Sequence, residues 1–171
     1  MPALRDIAEA AAEQTGLARK VLDYSLVMKR LVDEAKQPGF SLASWAPLAE
    51  YVDTAKFERV GNFLEVMTWA DYIGFLTGWA MTSEWEGSFK RVTTNGNVVL
   101  LELEERSRVG AHTSLVNSVS VYEFNAAGKL AHLDIYLQMP MPDPEMLASY
   151  KNIKILTETD RIMREIELPL N

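Results

Sequence analysis

His132 and Asp134, in "KLAHLDIYLQ", are the residues that a search for chemistry meets first. A histidine beside a carboxylate can take up and return a proton near neutral pH, because its ordinary pKa is about 6.5. Their spacing argues against that use. Side chains alternate faces along a strand, so Ala131, Leu133, Ile135 and Leu137 share one side of this run. Leu130, His132, Asp134, Tyr136 and Gln138 share the other. The uniformly apolar side is expected to face a core or pocket. His132 and Asp134 then point outward together, as polar surface or a dimer contact. His112 falls in a loop and no H-x-x-H spacing occurs, so no metal site is expected. The chain has no cysteine, hence no thiolate ligand and no cysteine nucleophile. "GAH" and "NGN" lack the pattern of a phosphate-cradling loop, and no cofactor is expected. Two more residues stay in view. Tyr24 lies on an apolar helical stripe, so its hydroxyl needs an interior partner. Glu105 shares a strand face with Leu101 and Leu103, where a pocket mouth could hold it; alone, it could equally be exposed.

The first half of the chain must supply helices. "PALRDIAEAAAEQ" is alanine-rich with a proline at its start. From Leu17, apolar residues recur at Val21, Tyr24, Met28, Leu31 and Ala35, the three- and four-residue steps of an amphipathic helix. "KQPGF" stops it, and Ser44 is placed to cap "WAPLAEYV". "AKFERVGN" reads as a short strand and turn; "LEVMTWADYIGFLTGWAM" returns to helical spacing with Trp69, Tyr72, Leu76 and Trp79 on one side. The period then changes. "EWEGSFKRVTT", "NVVLLELEERSRV", "TSLVNSVSVYEF" and "KLAHLDIYLQM" are strand-like runs separated by "NG", "GAH" and "NAAG", as in an antiparallel meander. "EMLASYKNIKIL" and "TETDRIMREIEL" read as helix again. Helices followed by an antiparallel sheet define an α+β fold.

The bulk composition narrows the partners. The 171 residues, 48% hydrophobic and 24% charged, suit one soluble domain, with 1–16 and 141–171 as N- and C-terminal helical extensions. Seventeen Lys and Arg against 24 Asp and Glu give a net charge of −7, without the basic clustering of a nucleic-acid footprint. No apolar run approaches the ~20 residues that cross a bilayer, and the N-terminus lacks a signal-peptide pattern. A cytoplasmic protein with neither nucleic-acid nor membrane partner is expected.

Helix, helix, short strand, helix and long meander is the element order of the nuclear transport factor 2-like (NTF2-like) superfamily, which includes ketosteroid isomerase, SnoaL-type polyketide cyclases and limonene epoxide hydrolase. The resemblance is strongest in "VSVYEFNAAGKLAHLDIYLQ", with its aromatic-rich strand, a turn ending Gly-Lys, and a closing strand with Tyr. "LAEYVDTAKFERVG" and "NGNVVLLELEE" resemble the family's second helix with first strand and its central strand, so the likeness runs over about residues 17–140. It implies helices packed on a strongly curved antiparallel sheet (the cystatin-like α+β roll), a conical pocket for a small apolar molecule, and homodimers that pair sheets back to back.

The same resemblance says which chemistry is absent and which remains. SnoaL-type cyclases carry His and Asp at places matching Leu133 and Ile135. Epoxide hydrolases place an Asp at Ile135 and charged residues near Leu101 and Leu103. Aliphatic side chains stand at all of these positions. The ketosteroid isomerase pattern fits better. Tyr24 matches its helix tyrosine, Glu58 its base (Arg59 if the alignment carries a gap), and Ser120 the place of its second acid. Glu58 would then abstract a proton next to a carbonyl, with Tyr24 and Ser120 hydrogen-bonding the enolate, inside a pocket lined by Trp69, Leu101, Leu103, Ser118, Leu133 and Ile135. Each has a plain alternative: Tyr24 as core, Glu58–Arg59 as a solvated strand edge, the serines as small spacers, the tryptophans as filling. Two functions therefore stand open, an isomerase- or dehydratase-like enzyme and a non-catalytic ligand-binding or dimerisation module of the same fold.

Overall fold

A computed structural model describes residues 4–140, 144–148 and 150–154. Helix α1, Ile7–Ala12, begins where Asp6 accepts hydrogen bonds from the amides of Ala8 and Glu9. It therefore starts later than the alanine-rich run suggested, because Arg5 is held as an isolated bridge to Phe89. Helix α2, Gly16–Glu34, buries the foreseen stripe of Val21, Tyr24, Met28 and Leu31, with Ala35 buried just beyond its end. A 3₁₀ turn, Leu42–Trp45, leads into the short α3, Ala46–Ala49. Ser44 is not its cap: its hydroxyl reaches back to the amide of Ser41 at 3.0 Å.

Strands β1, Glu58–Val60, and β2, Val66–Thr68, precede helix α4, Trp69–Ala80. Strand β2 lies inside the run that helical spacing suggested. The helix starts only at Trp69 because Thr68 and Asp71 cap each other there, Asp71 N to Thr68 Oγ1 at 3.3 Å and Thr68 N to Asp71 Oδ2 at 3.1 Å. Strands β3 (Ser83–Asn95), β4 (Val98–Val109), β5 (His112–Phe124) and β6 (Leu130–Gln138) form the meander, and α5 spans Pro144–Ala148. The turn glycines Gly96, Gly110 and Gly128 all adopt positive φ, near 60–70°. "TETDRIMREIEL" lies outside the described residues, and Tyr150–Lys154 is not helical.

The sheet has six strands in the order β2-β1-β6-β5-β4-β3. It is mixed rather than antiparallel, since β1 runs parallel to β6. Reaching β6 from β1 requires the whole β2–α4–β3–β4–β5 excursion, a long-range pairing that local patterning does not encode. Helices α1, α2 and α4 cover one face of the curved sheet, and their apolar sides meet Phe57, Met67, Phe89, Val99, Leu101, Leu103, Tyr122 and Leu133. No helix among the described residues is long and apolar enough to cross a membrane.

Candidate functional site on the helix-covered face

The pairing registers sort every candidate onto a face. Arg59 pairs with both Met67 and Leu133, and Leu133 pairs with Tyr122, which pairs with Val99. That row points toward the helices. The next inward row joins Ile135, Ser120 and Leu101; beyond it come Leu137, Ser118, Leu103 and Phe89. Leu101, Leu103, Ser118, Ser120 and Leu133 are buried, Ile135 packs against the same cluster, and Trp69 joins from α4.

Glu58 pairs with His132, so it shares the outward face. Its side chain is 44% exposed, with Oε1 3.5 Å from His132 Nδ1, while His132 Nε2 lies 2.9 Å from Asp134 Oδ1. Glu58 is therefore not brought together with Tyr24 and Ser120, and Arg59 holds the interior position. The outward grouping of His132, Asp134, Tyr136 and Gln138 agrees with simple alternation. Leu130 does not. It is buried, because a bulge where Glu123 pairs with His132 but Phe124 with Leu130 turns the strand's start inward. Among the described residues, no group of three His, Asp or Glu side chains is arranged to hold a metal ion.

Around Tyr24 the interior is crowded and polar. Its ring meets Tyr51 and Tyr122 edge-on, with centroids 6.0 and 5.8 Å apart. The space bounded by Lys20, Tyr24, Tyr51, Tyr122 and Phe124 is too tight for a water molecule. Elsewhere the aromatic residues pack on one another: Trp69 lies edge-on to Phe57, and Trp45, fully buried, donates from Nε1 to Thr77 Oγ1 at 2.9 Å. Burial raises the Tyr24 phenol well above its ordinary pKa; Tyr72 and Tyr122 add to this, and the Arg59 charge opposes it. Burial likewise raises the Tyr72 and Tyr122 phenols, Arg59 opposing at Tyr72, Ser25 and Ser120 opposing at Tyr122.

Arg59 is the charged centre of this group, its side chain 12% exposed and its guanidinium carbon 5.3 Å from the Tyr72 ring centroid. Nη1 donates to Glu65 Oε1 at 3.1 Å, and Glu65 Oε2 accepts from the Phe63 amide at 2.9 Å. Glu65 is 1% exposed. The loop allows this because Gly61 has no side chain: a Cβ there would fall 1.6 Å from Glu65 Oε1. Glu105, half-buried on the same face, accepts from Trp85 Nε1 at 2.7 Å. Several polar atoms nevertheless have no partner among the described residues. They are Tyr24 Oη, Arg59 Nε and Ser118 Oγ, together with Ser83 Oγ at the start of β3.

Solved structures share this arrangement of helices on a curved sheet. A SnoaL-like protein from Shewanella putrefaciens CN-32 matches with a TM-score of 0.59 at 10% identity, over 87% of this chain and 96% of its own. A SnoaL-like protein from Jannaschia sp. CCS1 matches at 0.50 and 15% identity, over 74% and 90%. An NTF2-like protein from Anabaena variabilis ATCC 29413 gives 0.50 and 13%, over 74% and 95%. The chain has the NTF2-like fold. No family model matches the sequence, and no curated protein matches it.

Within the NTF2-like frame, sequence reasoning missed Glu65, Tyr72 and Tyr122 as site residues and held Arg59 only as a fallback. One signal was available: Tyr122 lies at even spacing from Ser118 and Ser120, so it shares their face. No comparable signal exists for Glu65. It reads as a loop-edge acid until the Gly61 turn folds it under Arg59.

Proposed function

We propose that this chain binds a small molecule between the helices and the inward face of the sheet, with Tyr24, Arg59 and Ser118 as polar contacts and Trp69, Leu101, Leu103, Leu133 and Ile135 as apolar ones. One observation carries the reading. Tyr24 Oη, Arg59 Nε and Ser118 Oγ, on one side of the sheet, are buried without partners among the described residues, and a native protein rarely leaves such groups unsatisfied unless something else meets them. Ligand entry beside Tyr24 requires side chains to move, since the space there is too tight for a water molecule. The test is a melting-temperature screen of small aromatic and alicyclic compounds on the full chain, followed by calorimetry. Compounds that raise the melting temperature of the native chain but not of Tyr24→Phe with Ser118→Ala support it. A screen without any shift removes it.

A second reading, an isomerase-like proton transfer, is favoured by Glu105. Its charge acts on Tyr72 and Tyr122 from the half-buried rim of the same face, with Tyr24 and Ser120 available to hydrogen-bond an enolate. Exchange of α-protons of an enolisable ketone into deuterated water, slowed about 10²–10⁴-fold by Glu105→Gln, would support it. No exchange above the uncatalysed rate leaves the binding reading alone. Homodimerisation through the outward face belongs to the same proposal, because Leu100 and Tyr136 are exposed there. Sedimentation of the native chain as a monomer at micromolar concentration would remove it.

A further inference from the structure

We infer that the ligand carries a carboxylate, and that the Nε edge of Arg59 receives it. This rests on the small-molecule reading above and names the chemistry of that site. A guanidinium offers five N–H donors in a planar fork, and its Nε–Nη2 edge matches the two oxygens of a carboxylate. In this chain the Nε corner of that edge is left over. Nη1 is committed to Glu65, at 3.1 Å, and lies 3.9 Å from Met67 Sδ, whereas Nε is buried and has no partner among the described residues.

The supporting residues hold the guanidinium in place. Glu65 engages Nη1 with one oxygen and the Phe63 amide with the other, so its carboxylate is satisfied and anchored. Gly61 leaves the room this needs; a Cβ there would lie 2.7 Å from Arg59 Nη1. Tyr72 supports the guanidinium from the side, 5.3 Å from ring centroid to Cζ. Glu65 and Gly61 are positioning residues and Arg59 is the binding one. The Tyr24 hydroxyl, buried on the same side of the sheet, makes no close hydrogen bond among the described residues, although it lies near enough to the Tyr72 hydroxyl to act on its phenol. A cationic group would meet the guanidinium's like charge, and an apolar group would leave Nε unsatisfied.

The experiment uses the full chain at about pH 7, where benzoate and 2-naphthoate are ionised, with benzamide and 2-naphthamide as uncharged counterparts of the same shape. Calorimetry gives the affinities, and the Arg Nε–H resonances of labelled protein report the contact. The expected result is that the carboxylates bind about tenfold or more tightly than the amides, the size of a charged hydrogen bond. A single Arg Nε–H resonance should shift, and Arg59→Lys, which keeps the charge but loses the fork, should bring the carboxylates down to the amides. If Arg59→Lys does not fold, the resonance shift in the native chain decides alone. Amides that bind as well as carboxylates with Nε–H unmoved overturn the carboxylate while leaving the small-molecule reading standing. No binding by any of the four compounds overturns the carboxylate; the screen described above then decides the wider reading separately.

Discussion

Glu58, Arg59 and Glu65 show how little separates a solvated charge from a structural one. Glu58 and Arg59 are neighbours, yet one is 44% and the other 12% exposed. Replacing Glu65 by Gln would leave a buried guanidinium without its counter-charge, at a cost of about 3–5 kcal/mol. Glu58→Gln changes an exposed group whose contact with His132 is 3.5 Å long, and should alter stability by about 0.5 kcal/mol or less. Urea denaturation of both variants measures the contrast; equal losses would place Glu58 inside. Tyr24 gives a test of opposite sign. Its hydroxyl is buried without a partner among the described residues, so Tyr24→Phe should leave the ligand-free protein as stable or about 1 kcal/mol more stable. A clear loss would mean that the hydroxyl is bonded in the native state. The alternation that puts Glu58 outside was legible in the sequence. Its phase was not, since a three-residue strand reads equally well either way.

At the scale of elements, the β1–β2 loop is the device that makes the site. Leu64 takes a positive φ of 63° and its amide bonds to the Gly61 carbonyl at 2.9 Å, which brings Glu65 back under Arg59. Gly61→Ala should therefore cost about as much as losing the ion pair, roughly 3 kcal/mol, because Cβ and the carboxylate would occupy the same space. In a Glu65→Ala background the nearest obstacle is gone and only the flexible end of Arg59, with Nη1 at 2.7 Å, has to shift, so the same Gly61→Ala change should cost about 1 kcal/mol or less. A double-mutant cycle by denaturation reads the coupling; additive effects would show that Gly61 does not support this contact. Sequence patterning located the strand–turn here but not its consequence. A Gly-Asn pair announces a turn without saying which downstream side chain the turn delivers to the interior.

For the whole molecule, two consequences follow from burying phenols and closing one end of the sheet. Tyr24, Tyr72 and Tyr122 have pKa values raised by burial above the unfolded value of about 10. The folded state thus keeps protons that the unfolded chain releases. The associated stability is fully present below about pH 10 and is lost as pH rises beyond it. Phenolate absorbance followed together with circular dichroism should show these groups ionising with unfolding; reversible ionisation of all the tyrosines in a folded protein would contradict it. At the other end, Tyr150 packs edge-on to Phe63, with centroids 5.1 Å apart, and lies 5.9 Å from Phe75, while the Val66 amide donates to the Lys154 carbonyl at 2.7 Å. Burial raises the Tyr150 phenol, Glu65 adding to it and Arg59 opposing. Tyr150→Ala should loosen this segment, seen as faster hydrogen exchange of the Val66 amide; unchanged exchange would show that the segment holds without the ring.

The amino-acid sequence by itself determined what is short-range. Helical stripes, strand alternation and the φ requirements of Gly96, Gly110 and Gly128 follow from sterics over a few residues, and they were enough to point to an α+β fold of this type. Only the tertiary structure decided what depends on distant pairing: that β1 lies parallel to β6 in the phase that turns Arg59 inward, that a bulge buries Leu130, and that Glu65 is enclosed. Register and partner choice are set by the summed burial of residues far apart in the chain. A local pattern therefore names the two faces of a strand, but says which of them looks in only where one is uniformly apolar, as in β6 and not in β1.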